Sequence, residues 1–329
     1  MAELRYDPFT QDYIMIASNR QNRPQMPKNW CPFCPGSGKV PDNYDVYKYD
    51  NDFPSLRQDP PEPDDVSTQP VFKTLPCYGK CEVILYSPNH TITLPELPVS
   101  HVQKLVDLWI ERFNAIGADK KIKHVYIFEN RGEMIGVTMP HPHGQIYGYS
   151  VIPKKIALEL ESAREYFEEN GRSLFADVLQ AELADGRRII FENSEFVVYL
   201  PFYSPYPYAV NIMPRKNLQY ISQFDENQKA LFARTVRDTA GMLDSLFDIK
   251  FPYMMCMHNA PVNSGDMGFF RFHVEFFSPV RSADNRQFDA SSETGAWAHC
   301  NQTCPEDKAI ELHAAYKKFT GQNWESNKK

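Results

Sequence analysis

The sequence predicts an α+β protein in which antiparallel sheets pack against helices and the chain is duplicated. Three observations support this prediction. Short strand-like and helical segments alternate, with hairpin-length gaps between strands. One order of elements (strand, strand, helix, strand, strand) occurs twice. The chain has 329 residues, 42% of them hydrophobic, which is enough to bury a large core.

The first half begins with an interrupted series of strands. Segment 53–69 is rich in proline and acidic residues and has no periodicity, so it predicts a mobile surface loop. A strand is predicted over 82–86, followed by a helix that begins near Ser100, where apolar residues recur at helical spacing. Further strands are predicted over 125–128 and 146–152.

Two helices are predicted to close the first half. They cover about 156–169 and 174–184, and Gly171 and Gly186 follow as C-terminal stop signals. We therefore place the boundary between the halves after residue 186, giving segments 1–186 and 187–329.

The second half repeats the order. Strands are predicted over 196–200 and 208–213, and Asp225 with Gln228 forms a capping-box pattern that opens a helix to about Phe247. Strands over 253–257 and 272–277 follow. Thr303, three residues before Glu306, is expected to cap a last helix over 305–319.

Charge and cysteine content narrow the class of protein. Thirty-five basic and 42 acidic residues give a formal net charge of −7, which argues against a nucleic-acid partner. The N-terminus has no signal-peptide pattern, and no apolar run is long enough to span a membrane, so we expect a cytoplasmic protein. Seven cysteines indicate reduced thiols and, where two lie close together, a metal.

The strongest local motif is His141-Pro-His143-Gly144-Gln145, which precedes an alternating strand. On a strand, His141, His143 and Gln145 would project from one face. A neutral imidazole is a nucleophile, and a phosphorylated imidazole is a reactive leaving group, so His143 could pass a phosphoryl-linked group between two acceptors. Gln145 could donate to phosphoryl oxygens. The competing interpretation is a chance pair of histidines in a turn.

A second motif, Cys31-Pro-Phe-Cys34, has the spacing of a metal knuckle. It supplies two ligands, and His90 and His141 are candidates for the other two, which would make a Cys2His2 zinc site. A thioredoxin-like redox pair is the alternative, but the βαβ context of that motif is lacking.

Two further groups of residues are weaker candidates. Glu159, His258, His273 and Glu275 combine imidazole with carboxylate, which suits a second zinc or iron, although core histidines and a surface glutamate would look the same in sequence. Arg20 and Arg23 could clamp phosphates, but loop arginines are usually solvated.

At HPHGQ, joined to CPFC, SPNHTITLPEL and FENRGEMIGVTMP, the sequence resembles the galactose-1-phosphate uridylyltransferases of the histidine-triad superfamily over nearly the whole chain. The resemblance implies a duplicated histidine-triad-like fold and a ping-pong exchange. In that exchange UDP-glucose uridylylates a histidine, and galactose 1-phosphate then takes up UMP. It also implies a homodimer.

The resemblance implies roles for individual residues. His143 matches the nucleophile, Gln145 the contact to the transferred phosphoryl group, and Cys31, Cys34, His90 and His141 the zinc ligands. Glu275 stands where some members have a third histidine at the second metal site, and Ser292 replaces an aromatic residue near the hexose. The matched substrate contacts are Arg20, Arg23, Asn51, Asp52, Asn130, Thr138, Phe288 and Glu293.

Two alternatives to this function remain open at this point. An ADP-glucose phosphorylase or adenylyltransferase of the same superfamily would keep the nucleophile and change the base pocket. A non-catalytic, zinc-stabilised protein that binds nucleotide sugars would keep only the scaffold.

Overall fold

The computed structural model describes residues 2–18 and 30–323. The fold is mixed helix and sheet, and within the described residues every pairing between named strands is antiparallel. The strands are β1 (Ala2–Asp7), β2 (Asp12–Ala17), β3 (Tyr47–Asp50), β4 (Thr74–Pro76), β5 (Gly79–Leu85), β6 (His124–Arg131), β7 (His143–Tyr149), β8 (Ile189–Glu192), β9 (Phe196–Tyr199), β10 (Val210–Pro214), β11 (Tyr253–His258), β12 (His273–Phe277), β13 (Val280–Ser282) and β14 (Asn285–Arg286).

One nine-stranded sheet organises the described part of the chain, in the order β3-β5-β7-β6-β11-β12-β10-β9-β8. Strands β6 and β11 meet at its centre, where Phe128 pairs with Cys256. From that pair outward the two sides correspond. Phe128 also pairs with Gln145 on β7, and Cys256 also pairs with Glu275 on β12. Gln145 therefore corresponds to Glu275, and His143 to His273.

Helices pack against this sheet: α1 contacts β6 and β7, α4 contacts β9, and α6 contacts β8. The two long helices α1 and α4 pack against each other, and their buried side chains, such as Trp109 and Phe232, join the main core. No helix within the described ranges is both long and apolar enough to span a membrane. The helices are α1 (Val99–Gly117), α2 (Lys154–Asn170), α3 (Leu174–Asp185), α4 (Glu226–Phe247), α5 (Ser291–Ala296) and α6 (Pro305–Thr320).

Most of the predicted helix ends are confirmed. Gly171 and Gly186 adopt left-handed conformations after α2 and α3. At the start of α4, the Gln228 backbone N–H donates to the Asp225 carboxylate at 2.8 Å, and the Asp225 N–H donates to the Gln228 side chain at 2.9 Å.

The predicted cap of the last helix is wrong by one residue. The N-cap of α6 is Cys304, whose thiol donates to Glu306 at 3.1 Å. The hydroxyl of Thr303 instead donates to Asn301 Oδ1 at 2.7 Å. The local loop therefore satisfies the threonine before the helix begins.

The sequence did not indicate the short strands. Strands β1 to β4 and β8 have three to six residues each. The first, second and fourth form a small sheet beside the main one. Segment 53–69, predicted as a surface loop, contains no helix or extended strand. The proposed division after residue 186 falls between α3 and β8 and stays a prediction.

Candidate active site

The HPHGQ motif divides between two sites, because β7 begins at His143 rather than at His141. The three side chains therefore do not share one strand face as predicted. His141 precedes the strand and its ring is buried against the cysteines, whereas His143 and Gln145 line a cavity. The Tyr86 N–H donates to the Pro142 carbonyl at 3.0 Å, which attaches this turn to the segment after β5.

The ring of His143 is oriented by the backbone just before it. Its Nδ1 lies 2.7 Å from the carbonyl oxygen of His141, which can only accept, so Nδ1 carries the proton. The lone pair is then on Nε2, the atom that can attack phosphorus. Phe33 packs against the ring, with centroids 5.7 Å apart.

A cavity of about 330 Å³ contains His143 and brings together the predicted nucleotide contacts. The phenol of Tyr147 donates to Gln145 Oε1 at 2.9 Å, so the amide Nε2 of Gln145 is the group oriented to donate to a ligand. The predicted residues that line this cavity are Asn51, Asp52, Asn130, Thr138, His143 and Gln145.

Gly144 is required by close packing behind the nucleophile strand. A Cβ atom at this position would lie 2.4 Å from the Tyr86 hydroxyl oxygen and 3.0 Å from the Phe128 carbonyl oxygen. The first distance is shorter than real Cβ contacts and the second is tight, so glycine allows β7 to lie against its neighbours.

The four predicted zinc ligands form one cluster. Cys34 Sγ lies 3.3 Å from His90 Nδ1 and 3.7 Å from His141 Nδ1. Cys31 Sγ lies 3.7 Å from His141 Nδ1, and the two Nδ1 atoms are 3.4 Å apart. Tetrahedral zinc with bonds of about 2.0–2.3 Å would place ligand atoms about 3.3–3.8 Å apart. The residues present therefore fit a tetrahedral ion.

The surroundings of this cluster also suit a cation. His141 Nε2 donates to the Ser87 carbonyl at 2.8 Å, which leaves Nδ1 as the lone-pair atom facing the thiols. Burial raises the pKa of the Cys31 thiol to about 11. Among the described residues, the side-chain contacts of the two thiols are to Met139, His90 and His141. A divalent ion with two thiolates would be electrically neutral.

The second predicted cluster also comes together, but its contacts are different. His258 Nδ1 lies 2.8 Å from Glu159 Oε2, and its Nε2 lies 3.2 Å from Glu275 Oε2. Lys155 forms an ion pair with the same Glu275 carboxylate. Despite burial, the two carboxylates raise the pKa of His258 to about 9. The histidine is thus a hydrogen-bond donor on both sides.

The second cluster lies beside a cavity of about 860 Å³. His273 and Glu275 line this cavity in the places that His143 and Gln145 occupy in the first half. The correspondence includes the ring orientation, because His273 Nδ1 lies 3.0 Å from the carbonyl oxygen of Arg271.

Two predicted hexose contacts lie away from His143. Phe288 is 65% exposed and stacks under Arg286. Glu293 lies in the first turn of α5 and accepts the N–H of Ala290 at 3.1 Å. Neither residue lines a cavity that contains His143. Arg20 and Arg23 lie outside the described residues.

Sequence reasoning missed several residues that the structure places at these sites. Lys155 belongs to no recognisable motif. Its position four residues before Glu159 on a helix was nevertheless a signal for an ion pair. Glu129 is buried behind the nucleophile strand, and burial raises the pKa of this carboxyl to about 7. Tyr44 lies 3.2 Å from His141 Nε2 and gave no sequence signal.

Comparison with known proteins gives consistent matches over both halves. The model of the galactose-1-phosphate uridyl transferase N-terminal domain matches residues 2–153, and that of the C-terminal domain matches residues 159–310. The galactose-1-phosphate uridylyltransferase of Thermotoga maritima is 37% identical over 314 residues, which cover 95% of this chain and 98% of that protein. The Saccharomyces cerevisiae enzyme of the same name is 31% identical, with 86% of each chain covered.

Solved structures agree with these matches. A structure described as a uridylyltransferase has a TM-score of 0.88 and 28% identity, covering 96% of this chain and 99% of the other. An ADP-glucose phosphorylase from Arabidopsis thaliana with bound ADP-glucose has a TM-score of 0.73 at 22% identity, covering 95% and 98%. At that identity the second likeness shows a common fold and nothing more.

Proposed function

This chain belongs to the galactose-1-phosphate uridylyltransferase family. We therefore propose that it transfers UMP from UDP-glucose to galactose 1-phosphate through a covalent uridylyl group on His143. As a member of this family, the chain is a nucleotidyltransferase of galactose metabolism. The observation that supports His143 as the nucleophile is the hydrogen bond from its Nδ1 to the His141 carbonyl, which leaves the lone pair on Nε2 of a residue that lines the same cavity as Gln145.

In the first step Nε2 of His143 attacks the α-phosphorus of UDP-glucose. A P–N bond forms, the bond from the α-phosphorus to the bridging oxygen breaks, and glucose 1-phosphate leaves with the electron pair. The growing positive charge on the ring is shared with the His141 carbonyl through the 2.7 Å hydrogen bond. In the second step a phosphate oxygen of galactose 1-phosphate attacks phosphorus, and the P–N bond breaks.

The other cavity residues would hold the nucleotide while the sugar phosphates exchange. The Gln145 amide can donate to a non-bridging phosphoryl oxygen, where negative charge increases during attack. We assign Asn130 and Thr138 to phosphate and nucleotide contacts, and Asn51 and Asp52 to the nucleoside, because all four line the same cavity.

We propose zinc as the ion for the cluster of Cys31, Cys34, His90 and His141. Four protein ligands leave no open position, so zinc would be structural there. Its effect on the reaction would be indirect, since the backbone carbonyl of the ligand His141 orients the nucleophile. The short spacing of His141 and His143 in the motif would thus connect the metal site to the nucleophile.

We also propose a homodimer in the cytoplasm. Phe288 and Glu293 lie outside the cavities that contain His143, so a hexose bound at His143 would need them from a second copy. The exposure of Phe288 on the described chain supports that arrangement. Arg20 and Arg23 are proposed for the same hexose-phosphate region.

Mass spectrometry of the covalent intermediate tests the proposal. After incubation with UDP-glucose, we expect a UMP adduct that maps to His143 and is discharged by galactose 1-phosphate. The variant His143→Ala should form no adduct, whereas His299→Ala, an exposed histidine by the second cavity, should form it normally. An AMP adduct from ADP-glucose instead would favour the phosphorylase, and no adduct with either donor would favour a binding protein.

A further inference from the structure

The second cluster is already neutralised by the chain's own cations. Its two carboxylates, Glu159 and Glu275, each lie within hydrogen-bond distance of one nitrogen of the His258 ring. Both nitrogens must carry protons to donate to two carboxylates, so the ring is an imidazolium. The Lys155 ammonium contacts Glu275 and lies 3.9 Å from Glu159. Two negative and two positive groups cancel.

This arrangement does not fit a metal ion. An imidazolium has no lone pair to give, and the two nitrogens of one ring point in opposite directions, so one ion could not take the place of both hydrogen bonds. A divalent ion beside neutral His258 and Lys155 would leave one uncompensated positive charge, and Glu275, His258 and His273 are buried.

The cysteine cluster differs from the second cluster in its charges. Cys31, Cys34, His90 and His141 have no cation among them, and their ligand atoms are spaced for a tetrahedral ion. The two clusters differ in which group supplies the positive charge.

We propose that the second cluster holds no metal and that Lys155 supplies the charge that a metal would bring. Lys155 projects from the first turn of α2, and its ammonium also lies 4.8 Å from the Phe277 ring centre. Lys155, Glu275 and Phe277 line the large cavity, and so do Glu159 and His273, so the cluster faces this cavity. Of the two clusters in the described part of the chain, the cysteine cluster is then the one that binds a metal ion. This inference does not depend on the proposed transfer reaction.

Metal content is the decisive measurement. The purified wild-type protein is saturated with zinc, freed of loose ions by gel filtration, and analysed by inductively coupled plasma mass spectrometry. We expect one equivalent per chain for the wild type and for Glu159→Gln, and a loss of that equivalent in Cys34→Ser. Two equivalents in the wild type, falling to one in Glu159→Gln, would overturn the proposal.

A charge variant tests the role of Lys155 separately. Lys155→Met removes one positive charge, so the cluster should then bind zinc and the content should rise to two equivalents. Lys154→Met, the neighbouring residue on the same helix, should stay at one. If Lys155→Met also stays at one, Lys155 is not what excludes the metal, and that part of the proposal is wrong. Lys155 is half-exposed, so this variant should fold.

Discussion

The two halves of the main sheet place histidines in corresponding positions but surround them differently. In the first half, His143 and Gln145 line a cavity whose other polar residues carry amides, hydroxyls and the Asp52 carboxylate. In the second half, His273 and Glu275 lie beside Glu159, His258 and Lys155. A duplicated backbone can therefore surround equivalent histidines with different groups, and one of the differences is glutamine at position 145 against glutamate at position 275.

This difference is electrostatic. The Gln145 amide can donate to a phosphoryl oxygen, whereas the Glu275 carboxylate accepts only and repels negative charge. Hydrogen bonds to His258 and Lys155 lower the pKa of Glu275 despite its burial, so it stays ionised. The second cavity is thus unsuited to nucleotidyl transfer even though its histidine is oriented like His143.

The largest expected effect comes from making the first site resemble the second. Gln145→Glu should slow uridylyl transfer by about 10²–10³-fold, because it removes a donor to the phosphoryl oxygens and adds a like charge. Initial rates of UDP-galactose formation measure this. Gln145→Ala removes the donor without adding charge, so its loss should be smaller. Equal losses in the two variants would mean that the added carboxylate charge does not matter.

Metal removal should distinguish the two clusters by its effect on thermal stability. Chelation at moderate temperature should lower the midpoint of thermal unfolding of the wild type, because a bound ion stabilises only the folded form. Cys31→Ser should begin at the lower midpoint and respond little to chelator. Glu159→Gln should respond to chelator as the wild type does. If chelator no longer lowered the unfolding midpoint of Glu159→Gln, the proposed difference between the two clusters would be wrong.

The smallest expected effect concerns the pH-dependence of stability and comes from Glu129, a buried carboxyl on β6. Glu129 corresponds to Met257 in the second half, and only the first half has a buried carboxyl there. Burial raises the pKa of Glu129 from 4.5 to about 7, so the folded form binds its proton more tightly. The carboxyl therefore favours the folded state most below pH 4.5, and this contribution is lost as the pH rises through 7.

Urea unfolding at pH 5 and pH 8 measures this difference. The wild type should lose ~2 kcal/mol of unfolding free energy over that range relative to Glu129→Gln, whose side chain does not titrate. The pH-dependence should be equal in the two proteins if Glu129 titrates normally.

The sequence could predict the parts of the fold and site that depend on local pattern. Periodicity located the long helices, and the spacing of Asp225 and Gln228 located the start of α4. HPHGQ and CPFC located the nucleophile candidate and the metal cluster, since both combine unusual residue types at short spacing. The duplication could be predicted from the order of the elements.

The remainder depends on tertiary contacts. His141 leaves the strand face because Ser87 and the cysteines hold its ring, and none of these is adjacent in sequence. Lys155 acquires its role only when β12 brings Glu275 beside α2, 120 residues away. Thr303 loses its capping role to a loop contact with Asn301. Short strands such as β8 carry too few residues to show alternation.

The central pairing of β6 with β11 also bears on how the protein could be divided. Each half ends laterally in a strand, β6 or β11, whose outer hydrogen-bonding edge pairs with the other half. A separated first half would expose the edge of β6 and would tend to pair with another copy of itself or to aggregate. Because the two sides correspond about the Phe128–Cys256 pair, such a self-pairing would repeat the native geometry. The duplication thus keeps within one polypeptide what two identical chains could otherwise assemble.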